Sequence, residues 1–182
     1  MTTQSPTIPY TPIPRREIED SAANQLKRLD LYSIPVNPVT VAKRLNIEVF
    51  TGFLESISGI LTIDPDDPGS ESFQITVNKN DSPWMKRYAL AHEIGHYCLH
   101  RDISHTFIDP EINLYRSNES AASEQGRLAI EAQANMFAAA LLMPEEHLIR
   151  DAKSKMSLNE LADKYHVSKA AMGYRLVTLG LV

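Results

Sequence analysis

The chain has 182 residues, enough for one domain or one domain with a small appendage. Hydrophobic residues make up 43% and charged residues 23%, so a packed core is expected and a disordered chain is not. A net charge of -5 argues against nucleic acid as the main partner, and a single cysteine, Cys98, excludes an internal disulfide and fits a reducing compartment.

Residues 1–14 are polar, carry prolines at 6, 9, 12 and 14, and read as an extended or disordered tail. They lack the apolar core of a secretory signal, and no later run approaches the roughly 20 apolar residues that span a bilayer. A cytoplasmic protein with no membrane partner is expected. A helix is predicted over residues 15–32, where Ile18, Ala22, Leu26 and Leu29 recur at helical spacing. A short second helix should begin at Asn37-Pro38, with Asn as cap and Val41 and Leu45 on its buried side.

Three strand-like runs follow, at residues 47–50, 57–63 and 73–77, the last alternating as Phe73-Gln74-Ile75-Thr76-Val77. The run Asp64-Pro65-Asp66-Asp67-Pro68-Gly69-Ser70 is a turn signal. A small three-stranded antiparallel sheet is expected. A long helix is predicted over residues 83–100, capped by Ser82. Residues 101–118 look irregular. A second long helix runs over residues 119–142 and is nearly all apolar towards its end. Residues 157–182 read as two short helices, the first with a Ser157/Glu160 capping box and the second capped by Ser168. The fold class is α+β and mainly helical, with a tail at 1–14, a core over 15–155 and a helix-turn-helix-like segment at 156–182 packed on it.

The chemistry is concentrated in His92-Glu93-Ile94-Gly95-His96. Residues four apart share a helix face, so both imidazoles can reach one ion. Glu93 lies on the adjacent surface, where its carboxylate can take a proton from water held by that ion. This is what a zinc hydrolase needs. Two solvated histidines would be the plain alternative. Leu90, Ala91, Ile94 and Leu99 make the segment apolar, and buried imidazoles need partners.

A catalytic zinc site usually takes a third protein ligand. His100 continues the row, but it stands about 12 Å from His92 along a helix axis, too far to share one ion. The glycine turn of the longer metzincin motif is absent, and His105 has no supporting pattern. Glu131 is the better candidate. It lies one turn before Asn135 on the second long helix, an arrangement that suits a ligand and a side chain that orients an imidazole. Spacing alone does not separate it from a solvated glutamate, and Glu124 and Glu119 remain alternatives.

His92 to His100 together with Glu131-Ala132-Gln133-Ala134-Asn135, closing on Pro144, resembles the ImmA/IrrE family of metallopeptidases. The resemblance covers roughly residues 20–180. It implies a zincin-like core with a gluzincin-like zinc site: His92, His96 and Glu131 as ligands, Glu93 as general base and Asn135 orienting an imidazole. It further implies a protein substrate, a helix-turn-helix transcriptional repressor whose cleavage releases mobile-element, prophage or stress genes. The residue that would stabilise the oxyanion stays open among Tyr97, His100, His105, Tyr115 and Arg116. Two His and a carboxylate favour Zn2+, although manganese or iron suits such a set as well.

Within residues 160–176, Lys164, Lys169 and Arg175 stand against Glu160 and Asp163, a formal surplus of one positive charge. That is thin for phosphate binding, so a helical pair packed on the core is expected in place of a DNA reader. Two rival readings remain: a DNA-binding regulator with a vestigial metal helix, and an antirepressor or toxin-antitoxin module that traps its partner without cutting it.

Overall fold

A computed structural model describes residues 12–63, 72–101, 106–108 and 121–182. In chain order the elements are α1 (Arg15–Arg28), α2 (Pro38–Arg44), β1 (Ile47–Gly52), β2 (Gly59–Ile63), β3 (Phe73–Asn78), α3 (Pro83–His100), β4 (Thr106–Ile108), α4 (Ala121–Leu142), α5 (Glu145–Ala152), α6 (Leu158–Tyr165) and α7 (Lys169–Thr178). The α+β, mostly helical class expected from the sequence is the one observed. Most of the tail at 1–14 and the turn at 64–70 lie outside the described residues.

The caps are local and form as the sequence dictates. Asn37 Oδ1 accepts from the Val39 amide at 3.0 Å, Ser82 Oγ from Met85 at 3.3 Å, and Ser168 Oγ from Ala171 at 3.1 Å. Ser157 and Glu160 close a reciprocal capping box. Helix α1 stops at Arg28, short of the predicted residue 32. Asp30 turns left-handed there, and the Leu31 amide reaches back to the Leu26 carbonyl at 2.9 Å.

The sheet departs from expectation. It is mixed, with four strands in the order β1-β3-β2-β4. Strand β3 pairs parallel with β1 and antiparallel with β2, so it inserts between two strands that precede it. Burial explains the placement: Ile75 of β3 is fully buried, whereas Phe50 of β1 is exposed. The apolar strand takes the centre and the mixed one an edge. The short β4 joins β2 from within the stretch read as irregular.

Helix α3 packs against β2, β3 and α4, and α4 also carries α1. Leu90, Ala91 and Ile94 of α3 and Ile130, Phe137, Ala138 and Leu141 of α4 are buried in one continuous core. The seam between the two long helices is close because Gly95 has no side chain. A Cβ there would stand 3.1 Å from the Ala134 carbonyl oxygen and 3.2 Å from Phe137 Cβ. Two arginines help tie the C-terminal pair α6–α7 to this core. Arg175 of α7 is buried, forms a bidentate ion pair with Glu19 of α1, and donates to the Met143 carbonyl at 3.1 Å. Arg87 of α3 donates to the carbonyl of His166, which closes α6 in a left-handed conformation.

Candidate metal centre

The close α3–α4 seam brings three side chains to one point. His92 and His96, one turn apart on α3, direct their Nε2 atoms at each other across 3.0 Å. Glu131 of α4 places Oε2 3.0 Å from His92 Nε2 and Oε1 3.2 Å from His96 Nε2. Donors about 2.0 Å from a tetrahedral ion lie about 3.3 Å from one another, so these separations fit one small cation. Among the described residues, His92, His96 and Glu131 form the group able to hold a metal ion. Glu124 and Glu119, the alternatives weighed from sequence, have side chains outside the described residues.

The electrostatics suit that role. Burial pushes the Glu131 carboxyl up, but its contacts with His92 and His96 outweigh that and draw it down to about 2, so it is ionised at neutral pH. Burial also works against a charged His92. The Glu131 contact and the Glu93 charge overcome it and raise the imidazole above its ordinary value. A metal would therefore compete with a proton for His92, and its affinity should fall in acid.

Neighbours fix the rings. Asn135 Oδ1 lies 3.0 Å from His92 Nδ1 and accepts from the Tyr88 hydroxyl at 2.9 Å. His96 Nδ1 meets His100 Nδ1 at 3.3 Å, and His100 Nε2 meets Gln133 Oε1 at 2.9 Å. His100 is only 1% exposed, and burial drives its pKa down to about 4. Glu93 is also buried, and Gly59 at the start of β2 lies directly on it: a Cβ at 59 would come within 2.9 Å of Glu93 Oε1. Asn78 holds that approach in place by donating to the Leu54 and Ile57 carbonyls of the preceding loop.

A cleft of about 250 Å³ opens on the group, lined by Ser58, Gly59, Tyr88, His92, Glu93 and Glu131 among others. Two of the sequence candidates for an oxyanion donor do not line it. His100 points into the seam, and Tyr97 packs edge-on against Phe73 with Arg101 over its ring. Tyr115, His105 and Arg116 lie outside the described residues. The phenol at the cleft is Tyr88, which sequence reasoning passed over although it stands one turn before His92 in the same row. Burial chiefly pushes its hydroxyl up to about 12, so it stays protonated.

Residues 42–177 match the family model of peptidase M78, the IrrE N-terminal-like domain. The chain belongs to this family. The match runs from α2 through α7 and contains every residue of the centre just described. No curated protein matches this M78 chain significantly. Among solved structures, a Mycobacterium tuberculosis transcriptional regulator superimposes with a TM-score of 0.61 at 15% identity, over 88% of this chain and 46% of that one. At such identity the likeness is one of fold, and this chain spans about half of that protein, 46%.

Proposed function

We propose that this M78 member is a zinc-dependent endopeptidase, with His92, His96 and Glu131 as ligands and Glu93 as general base. One observation carries the reading: two imidazole nitrogens and a carboxylate converge at 3.0–3.2 Å, with a second, buried carboxylate beside them. Zinc bound there would supply a Lewis acid and bring the pKa of its water to about 7. Glu93 takes a proton from the attacking water and returns it to the departing amine. Gly59 keeps the Glu93 carboxylate in place against β2. Tyr88, protonated and on the cleft wall, would stabilise the developing oxyanion by turning its hydroxyl hydrogen from Asn135 Oδ1 towards it.

A polypeptide substrate is supported by the surroundings. Tyr88 and Asn135 also border a largely apolar groove of about 570 Å³ walled by Met136, Ala139 and Tyr174, so side chains of an extended segment could lie beyond the cleft. The substrate we propose is a helix-turn-helix repressor encoded beside this gene, acting in the cytoplasm. Family membership and the fold shared with a protein named as a transcriptional regulator support it.

Direct DNA reading by α6–α7 is disfavoured by charge. Of the segment's three cations, Arg175 is buried on Glu19 and Lys164 holds Asp151 at 2.8 Å. The test mixes zinc-loaded protein with the neighbouring regulator, using Glu93→Gln as control. Discrete fragments from the wild type alone are expected. Stable binding by both forms without fragments would replace the protease with a trapping module.

A further inference from the structure

We propose that His100 and Gln133 form a positioning relay that fixes which nitrogen of His96 carries hydrogen, leaving the His96 Nε2 lone pair directed at the metal position. The inference rests on the metal reading above and adds two residues to it. Neither needs to touch the ion.

The direction of the relay follows from Gln133. Its Oε1 can only accept, so the facing His100 Nε2, 2.9 Å away, carries the hydrogen. A neutral imidazole has one donor and one acceptor, so His100 Nδ1 is then the acceptor. His96 Nδ1 faces that atom at 3.3 Å and is its donor in this arrangement. The His96 hydrogen is thereby held on Nδ1. Nε2 is left with its lone pair where it meets Glu131 Oε1 at 3.2 Å and His92 Nε2 at 3.0 Å.

The opposite sense would defeat the site. With an amide nitrogen facing His100, the hydrogen would move to His100 Nδ1, His96 Nδ1 would accept, and His96 Nε2 would carry a hydrogen that blocks ligation. His92 reaches the same end through a single acceptor, Asn135 Oδ1 at 3.0 Å. His96 cannot use that device, because its Nδ1 faces its own helix neighbour one turn on. His96 and His100 are each 1% exposed and Gln133 5%, so bulk water has little access to these atoms. A mispaired member would leave a buried polar group unsatisfied. The relay spans the same α3–α4 seam that Gly95 keeps narrow.

The test reads hydrogen positions directly. Zinc-loaded protein with 15N-labelled histidine is examined by long-range 1H–15N correlation. His100 should carry its hydrogen on Nε2 with an unprotonated Nδ1, and a hydrogen on His100 Nδ1 would overturn the relay. Zinc competition with a chromophoric chelator supplies the second readout. His100→Phe should bind zinc about 10–100-fold more weakly. His100→Asn, whose Oδ1 can replace the lost acceptor, should retain the wild-type affinity. Equal losses in both, or none in His100→Phe, would contradict the proposal. Should His100→Phe fail to fold, Gln133→Met removes the acceptor at the far end and is expected to weaken zinc by a similar factor. Wild-type protein that takes up no zinc would sink both this relay and the metal reading. Zinc uptake with the reversed His100 hydrogen sinks the relay alone.

Discussion

Among the described residues, two of the buried polar clusters are built in opposite ways. Around Arg175, a guanidinium meets the Glu19 carboxylate through two hydrogen bonds, and its Nε is taken by the Met143 carbonyl. Every charge there is answered by another side chain or by backbone. At the α3–α4 seam, by contrast, two imidazole nitrogens and a carboxylate face the same point, and a second carboxylate, Glu93, is buried close by. Electron pairs aimed at one position make a site for a cation. Groups that compensate one another make a clamp. The difference teaches how to separate a functional cluster from a structural one when both are buried and both contain glutamate: what matters is whether the polar groups close on themselves.

The largest effect that sharpens this contrast is expected at Glu93. Glu93→Gln should lower cleavage by about 10²–10⁴-fold while zinc content and unfolding midpoint stay at wild-type values. Substantial residual turnover in a metal-replete variant would remove Glu93 from the role of base. The clamp should behave in reverse. Arg175→Met leaves Glu19 buried without its partner and should cost about 3–5 kcal/mol in urea unfolding, with one zinc still bound per folded molecule. If stability is unchanged there, the pairing of α1 with α7 does not hold the C-terminal segment in place.

A smaller effect is expected at Gly59. Gly59→Ala pushes on the Glu93 carboxylate, which stands 2.9 Å from the added Cβ, so turnover should fall about 10–100-fold at near-normal stability. Equal kinetics for the alanine variant would show that Glu93 needs no support from β2.

The smallest concerns acid stability. Asp151 is buried, accepts from the Tyr165 hydroxyl at 2.8 Å and pairs with Lys164 at 2.8 Å. Burial raises its pKa, but these partners outweigh it and leave the folded value below the ordinary one. Its stabilisation is therefore fully present above the unfolded value of about 3.9 and is lost as pH falls through the lower folded value. Asp151→Asn should flatten the acid limb of a pH–stability curve below about pH 4, and an unaltered limb would assign that slope to other carboxylates.

How much of this was legible in the chain depends on distance along it. His92, Glu93 and His96 sit within five residues, and helical periodicity alone puts them together. Caps at Asn37, Ser82, Ser157 and Ser168 are equally local. Glu131 lies 35 residues beyond His96, so spacing left it level with a solvated glutamate. The parallel pairing of β1 with β3 was hidden for a related reason: which strand takes the centre depends on burial by elements distant in the chain, and no local pattern encodes it. Strand β4 is three residues long, below what alternation can reveal. Gly95 and Gly59 were the least visible. Their role is to be small where the Ala134 backbone and the Glu93 carboxylate come close, and that need appears only in three dimensions.

The most direct test of the central claim is X-ray absorption at the zinc edge of the loaded, full-length protein. The account predicts one zinc per chain with nitrogen and oxygen ligands at about 2.0–2.2 Å, two of them imidazole, and loss of that shell in Glu131→Ala. A sulfur scatterer at about 2.3 Å would place the metal at Cys98 and contradict the centre formed by His92, His96 and Glu131. So would a shell unchanged by Glu131→Ala.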